Sequence, residues 1–214
     1  MISVLSETTF QSTAQSALRR IFVNEDPYEA PFAAPVQHRL ILFEYLYEMQ
    51  PPLLDAIVQA ATRYDERGFY VSIFDRPPEE EQQQPYHWYI PFSDIAGYQS
   101  LVGPLTNVVY STSGRWGIMG TYEHYGLLGC DATVMAAIKR VLPDLDSQVF
   151  EFLKHWEWNA QHFGSVVDWV PNVLKHVYGA EQAGELLCYW HPLHPIGGLR
   201  EATDTVGETF PQYQ

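Results

Sequence analysis

Thr112 to Asp131, written TSGRWGIMGTYEHYGLLGCD, concentrates chemically capable side chains: an adjacent Glu123-His124 pair, a thiol at Cys130 and five glycines. A carboxylate beside an imidazole can orient it as a general base. A cysteine just ahead of a helix can have its thiol pKa lowered until it acts as a nucleophile. The surrounding pattern favours neither role. Adjacent residues on a strand point to opposite faces, and Glu123-His124 falls in a turn between two strand-like runs. Cys130 lies between Leu127 and Val134, the setting of a buried structural cysteine. The glycines do not form the GxGxxG spacing, directly after a strand, that cradles a pyrophosphate.

The second chemical candidate is the C-terminal histidine set, His155, His162, His176, His191 and His194, with Cys188-Tyr-Trp-His191 inside it. Structural zinc takes four Cys or His ligands in two tight pairs, and no second pair with that spacing is present. His155 and His162 share a helix face but lie two turns, about 10 Å, apart. No metal and no cofactor is therefore expected. The chain also carries no GxSxG elbow, P-loop, HExxH or kinase signature.

Charge points elsewhere. Against 12 basic side chains stand 26 acidic ones, a formal charge of −14, and the resulting field repels phosphate backbones and anionic lipid headgroups. Nucleic acid and membrane are thus excluded as expected partners, and a cationic protein is the natural counterpart. The acids best placed to meet it fall in loops or turns around one predicted sheet: Glu79, Glu80, Glu81, Asp94 and Glu123. Tyr86, Trp88 and Tyr122 lie near them in sequence, and aromatic anchors inside a charged rim are typical of binding hot spots.

These residues must be positioned by a folded core, which 46% apolar and 14% aromatic residues can supply. Two cysteines without a CxxC, no secretory leader at the N-terminus and no long apolar run lead us to expect a cytoplasmic protein without a membrane span. A helix is expected from Ser6 to about Phe22. An extended linker anchored by Tyr28 and Phe32 follows, from Asp26 to Pro35. Val36, Leu40, Phe43 and Tyr47 repeat at helical spacing, and Pro51-Pro52 ends that helix and starts another, with Leu54, Ile57, Val58 and Ala61 on its stripe.

At Gly68 the period changes. Strands are expected at Phe69–Phe74, Tyr86–Ile90, Asn107–Ser111, Arg115–Gly120 and Gly126–Gly129, with a short helix from Asp94 to Leu101. The polar, Pro-rich stretch Arg76–Pro85 reads as a mobile hairpin connection. Alternation is expected to bury both Tyr110 and Trp116 on a face that needs covering. Asp131 reads as an N-cap, followed by a helix ending at Leu142-Pro143. Three C-terminal helices are then expected, the first with Val149, Phe152, Leu153, Trp156 and Ala160 on one stripe.

The run Asn107-Val-Val-Tyr-Ser-Thr-Ser-Gly-Arg-Trp-Gly-Ile-Met, followed by Glu123-His-Tyr-Gly-Leu-Leu-Gly-Cys-Asp, resembles a strand–turn–strand–helix segment of uncharacterised bacterial proteins of the toxin-immunity type, over residues 107–142. The resemblance implies a protein that works by binding. It assigns no individual residue.

The sequence thus predicts an α+β protein. Residues 1–145 would hold N-terminal helices, a mostly antiparallel sheet of about five strands and a covering helix. Residues 146–214 would form a C-terminal helical extension, packed on the same core. The leading expectation for function is a non-catalytic cytoplasmic binding protein of the immunity or inhibitor type. The alternative is a small hydrolase or metal-dependent enzyme using the histidine-rich C-terminal region.

Overall fold

The structure is a computed structural model that describes residues 1–45, 48–74, 86–101 and 106–190. The expected connection at Arg76–Pro85 and the histidines His191 and His194 lie outside the described residues.

Five strands form the centre of an antiparallel sheet in the places the alternation marks: β3 (Gly68–Ile73), β4 (His87–Pro91), β5 (Asn107–Ser111), β6 (Trp116–Gly120) and β7 (Tyr125–Cys130). Two more strands border it, β1 (Ser3–Val4) and β2 (His38–Phe43). The described sheet is therefore seven-stranded, in the order β1-β4-β3-β5-β6-β7-β2, rather than about five-stranded. The helix expected from Val36 is β2. Leu40 and Leu42 face one side of the sheet and Ile41 the other, all three buried. A strand covered on both faces loses its alternation and reads as a continuous apolar run.

Helices cover both faces. On one, α3 (Pro51–Thr62, with proline in its first turn) and α4 (Ala132–Val141) pack with Tyr98 against Val71, Val109, Trp116, Ile118 and Leu128. On the other lie α2 (Gln15–Ile21), α5 (Gln148–Phe163), α6 (Val170–Tyr178) and α7 (Ala180–Cys188), over Ile41, Val108, Tyr110, Met119 and Leu127. α2 is reached from the short helix α1 (Glu7–Thr9) through a π-helical turn, Phe10–Ala14. The helices after residue 146 share one apolar cluster with Phe10, Leu18 and Ile21. None of the described helices is long and apolar enough to cross a membrane.

Tyr110 and Trp116 are both fully buried on adjacent strands, but on opposite faces. The register explains this, because Tyr110 pairs with Gly117, one residue beyond Trp116. Both faces need covering, and both are covered.

Register also explains the glycines. Gly117 pairs with Gly129, and Gly120 with Gly126. A Cβ on Gly129 would sit 2.4 Å from Phe32 Cε1, and one on Gly117 would sit 2.7 Å from Phe22 Cε2. On the opposite face, the Tyr45 ring would be 2.8 Å from a Cβ on Gly120 and 3.0 Å from one on Gly126. Each glycine pair is a bare patch that aromatic rings occupy, so this part of the run is sheet architecture.

β2 is an edge strand with two of its outward amides occupied. Ile41 N–H donates to Tyr178 Oη (3.2 Å) and Phe43 N–H to Gln148 Oε1 (3.0 Å). Side chains from α5 and α6 thus blunt an edge that could otherwise pair with another chain.

Candidate functional site

The pairings Ser72–His87, Ile73–Asn107, Asn107–Gly120, Gly120–Gly126 and Phe43–Tyr125 place five chain segments at one end of the sheet. These are the end of β3, the start of β4, the start of β5, the β6–β7 turn and the end of β2. Phe74 and Tyr86, the described residues on either side of Glu79, Glu80 and Glu81 in the sequence, lie at this end. Those three acids lie outside the described residues.

The β6–β7 turn is held from within. Thr121 Oγ1 donates to Tyr125 O (2.9 Å) and accepts from Glu123 N–H (3.2 Å). His124 takes a left-handed backbone, φ 59°, and so does Glu44 just past the end of β2, φ 58°. Non-glycine residues rarely adopt that region, and they concentrate where a chain is held for a purpose. The result leaves Tyr122 half exposed with Glu123 beside it.

Beneath the turn lies an aromatic platform. Tyr125 stacks on Trp169 (centroids 5.5 Å apart, planes at 11°), and the edges of Tyr28 and Trp156 meet Trp169 at 5.0 Å. Tyr28 Oη donates to Glu123 Oε1 at 3.4 Å. Burial raises the Tyr28 hydroxyl pKa, and its hydrogen bond with Tyr122 and the Glu123 charge raise it further. It therefore remains a neutral donor for Glu123. His155 of α5 feels this turn, with its pKa lowered by burial and by His124, against the opposing pull of Glu123 and Glu44.

Other predicted site residues are placed elsewhere. Trp88 is 6% exposed and belongs to the core on the α3–α4 face, and Tyr86 is half-buried against the same cluster. Asp94 lies after β4, at the opposite end of the sheet, about 20 Å from the Glu123 turn by strand rise. Its Oδ2 accepts from Ile2 N–H at 2.8 Å, which ties down the N-terminal segment.

The histidines of the C-terminal helices do not gather. His176 Nε2 accepts from Phe32 N–H (3.1 Å), with its pKa lowered to about 4 by burial and by Arg39. His162, exposed on α5, stacks on Trp158. Among the described residues no group of three or more His, Cys, Asp or Glu side chains could hold a metal ion. Burial, then the Asp131 charge, raises the Cys130 thiol pKa, so the thiol stays protonated and unreactive.

One arrangement was not visible in the sequence. Ser72 Oγ lies 2.8 Å from His87 Nδ1, and His87 Nε2 lies 3.5 Å from Glu7 Oε2, the connectivity of a serine–histidine–carboxylate relay. Ser72 is fully buried near the end of β3 and also bonded to Tyr110 Oη at 3.2 Å. His87 is stacked under Phe10, with ring centroids 3.7 Å apart. A nucleophile needs an approach for its substrate, so in this packing the three groups fasten the π-helical turn to the sheet. Alternation marks Ser72 and His87 only as strand positions, and nothing local announces that they pair.

No protein-family model, curated protein or solved structure matches the chain.

Proposed function

We propose that the protein is a non-catalytic binding protein, of the immunity or inhibitor type, that receives a basic protein on the acidic, aromatic end of its sheet. The observation that carries this reading is the β6–β7 turn. A left-handed His124 turns the chain so that Tyr122 projects half exposed, and Tyr28 positions Glu123 beside it. A rigid aromatic next to an oriented carboxylate is the make-up of an interface anchor. Glu44 is exposed at the same end. Asp94 and Trp88 are not part of this surface.

The test is capture from the native cell with two baits, the wild-type chain and a Tyr122→Ala/Glu123→Lys variant of unchanged melting temperature. The expected outcome is a basic protein retained by the wild type and lost by the variant. Equal retention by both baits, or retention of acidic partners only, would defeat the proposal.

A further inference from the structure

At the end of the sheet opposite the Tyr122–Glu123 turn, a cleft of about 610 Å³ opens between α2, the linker before β2 and the start of α4. Arg19, Arg20, Arg115 and His38 line it. Three of the chain's 12 basic side chains thus converge on one concavity in a protein of net charge −14. Like charges repel, and such a gathering persists when fixed contacts hold the guanidinium groups in place.

Those contacts are present. The stem of Arg20 lies across the β5–β6 turn at Gly114, whose φ is +73°; a Cβ there would stand 2.7 Å from Arg20 Cδ. Arg20 Nη1 donates to Ser113 O at 3.1 Å, and among the described residues Arg20 has no carboxylate partner. The Arg115 guanidinium lies over the Tyr64 ring, 4.0 Å from its centroid, and donates to Asp131 Oδ2 at 2.8 Å. Arg19 has only a 3.8 Å contact to Glu25, with both side chains about half exposed. A pair of that kind neutralises little charge.

Among the described residues Asp131 is the one carboxylate lining the cleft, and it is already engaged. Its Oδ1 accepts from Thr133 N–H and Val134 N–H, 2.9 Å each, as the cap of α4, while Oδ2 takes Arg115. Three guanidinium charges less one carboxylate leave two positive charges on the lining, and among the described residues Arg20 donates only to Ser113 O and Arg19 meets only Glu25. Pro35, Val36 and Ala132 contribute apolar wall.

We propose that this cleft binds a small phosphomonoester with an apolar body. The dianion matches the two uncompensated charges, and guanidinium forks bind phosphate oxygens in pairs. Arg20 is the principal ligand, flanked by Arg19 and Arg115, and the organic group rests on Val36 and Ala132. This site is independent of the protein-binding end.

Calorimetric titration of the full chain at fixed ionic strength tests it, with phenyl phosphate, benzoate and inorganic phosphate as probes. Phenyl phosphate is expected to bind saturably and more tightly than either of the others. Arg20→Gln, at an exposed position, is expected to keep the wild-type melting temperature and to weaken binding ~10-fold, the loss of one charge-assisted hydrogen bond. Arg19→Gln supplies a second variant with a smaller loss, ~3-fold. The proposal is overturned if phenyl phosphate gives no saturable binding, if benzoate binds as tightly, or if both variants bind as the wild type does.

Discussion

Gly129→Ala puts one methyl group where the fold has no room for it. Gly129 on β7 faces Gly117 on β6, and Phe32 lies on this bare patch. The new Cβ would stand 2.4 Å from Phe32 Cε1, 2.6 Å from Cδ1 and 2.8 Å from Val36 Cγ1. Phe32 cannot simply swing away. It is buried, it lies beneath Arg39, it is stacked on Phe22, and its N–H is bonded to His176. Inserting a methyl into such packing costs about 1–3 kcal/mol. Replacing a strand glycine by alanine returns about 0.5–1 kcal/mol of chain entropy. With contacts as short as 2.4 Å placing the cost in the upper half of its range, the net is a destabilisation of about 1–2.5 kcal/mol, or a melting temperature lower by roughly 2–10 °C for a chain of this size. Gly184 on α7 is the control: its Cβ would meet nothing within 4 Å, so Gly184→Ala is expected to stabilise. Circular dichroism melts of both variants decide the matter. A Gly129→Ala protein that melts at or above the wild type would refute the ring-on-glycine account. So would a Phe32→Leu background that leaves its cost undiminished.

Three further outcomes follow from the same packing. Glu66, buried, accepts from Ser113 N–H, Ser113 Oγ and Trp116 Nε1, so Glu66→Ala is expected to cost about 2–4 kcal/mol in urea unfolding by stranding those donors. His176 has its pKa lowered from 6.5 to about 4, so the unfolded chain takes up its proton first. Its contribution is constant above about pH 6.5 and is lost progressively as pH falls toward 4, and His176→Phe should flatten that part of the urea-midpoint profile. Ser72, with no exposed surface, should remain unlabelled by a fluorophosphonate in the folded protein; rapid stoichiometric labelling would revive a hydrolase reading.

The strands from Gly68 to Cys130 were legible because each carries a short β-branched or aromatic run bounded by glycine, proline or a turn. The caps were legible too: Asp131 accepts from two amides of α4, and Pro51 begins α3. β2 was not, since Val36, Leu40 and Phe43 happen to repeat at helical spacing in a strand buried on both faces. β1, two residues long, has no period to read. The turn at Tyr122–Glu123 was recognisable as a turn, but its supports come from Tyr28, about a hundred residues earlier, and from Trp169 on the far side of α5. Local pattern says nothing about such pairings. Asp94 and Trp88 were grouped with Glu123 by proximity to one sheet; register puts Asp94 at the other end, and side-chain alternation turns Trp88 into the core.

The proposed anchoring of a basic protein by Tyr122 and Glu123 has a kinetic signature. The most direct measurement is the association rate of the captured partner on the immobilised wild-type chain and on Tyr122→Ala/Glu123→Lys, across ionic strengths spanning roughly 0.05–0.5 M, where the screening length contracts through about 8 Å. The wild-type association rate is expected to fall as salt rises while dissociation changes little, and the variant is expected to associate more slowly with a weaker salt dependence. A rate indifferent to both salt and the double substitution would contradict it.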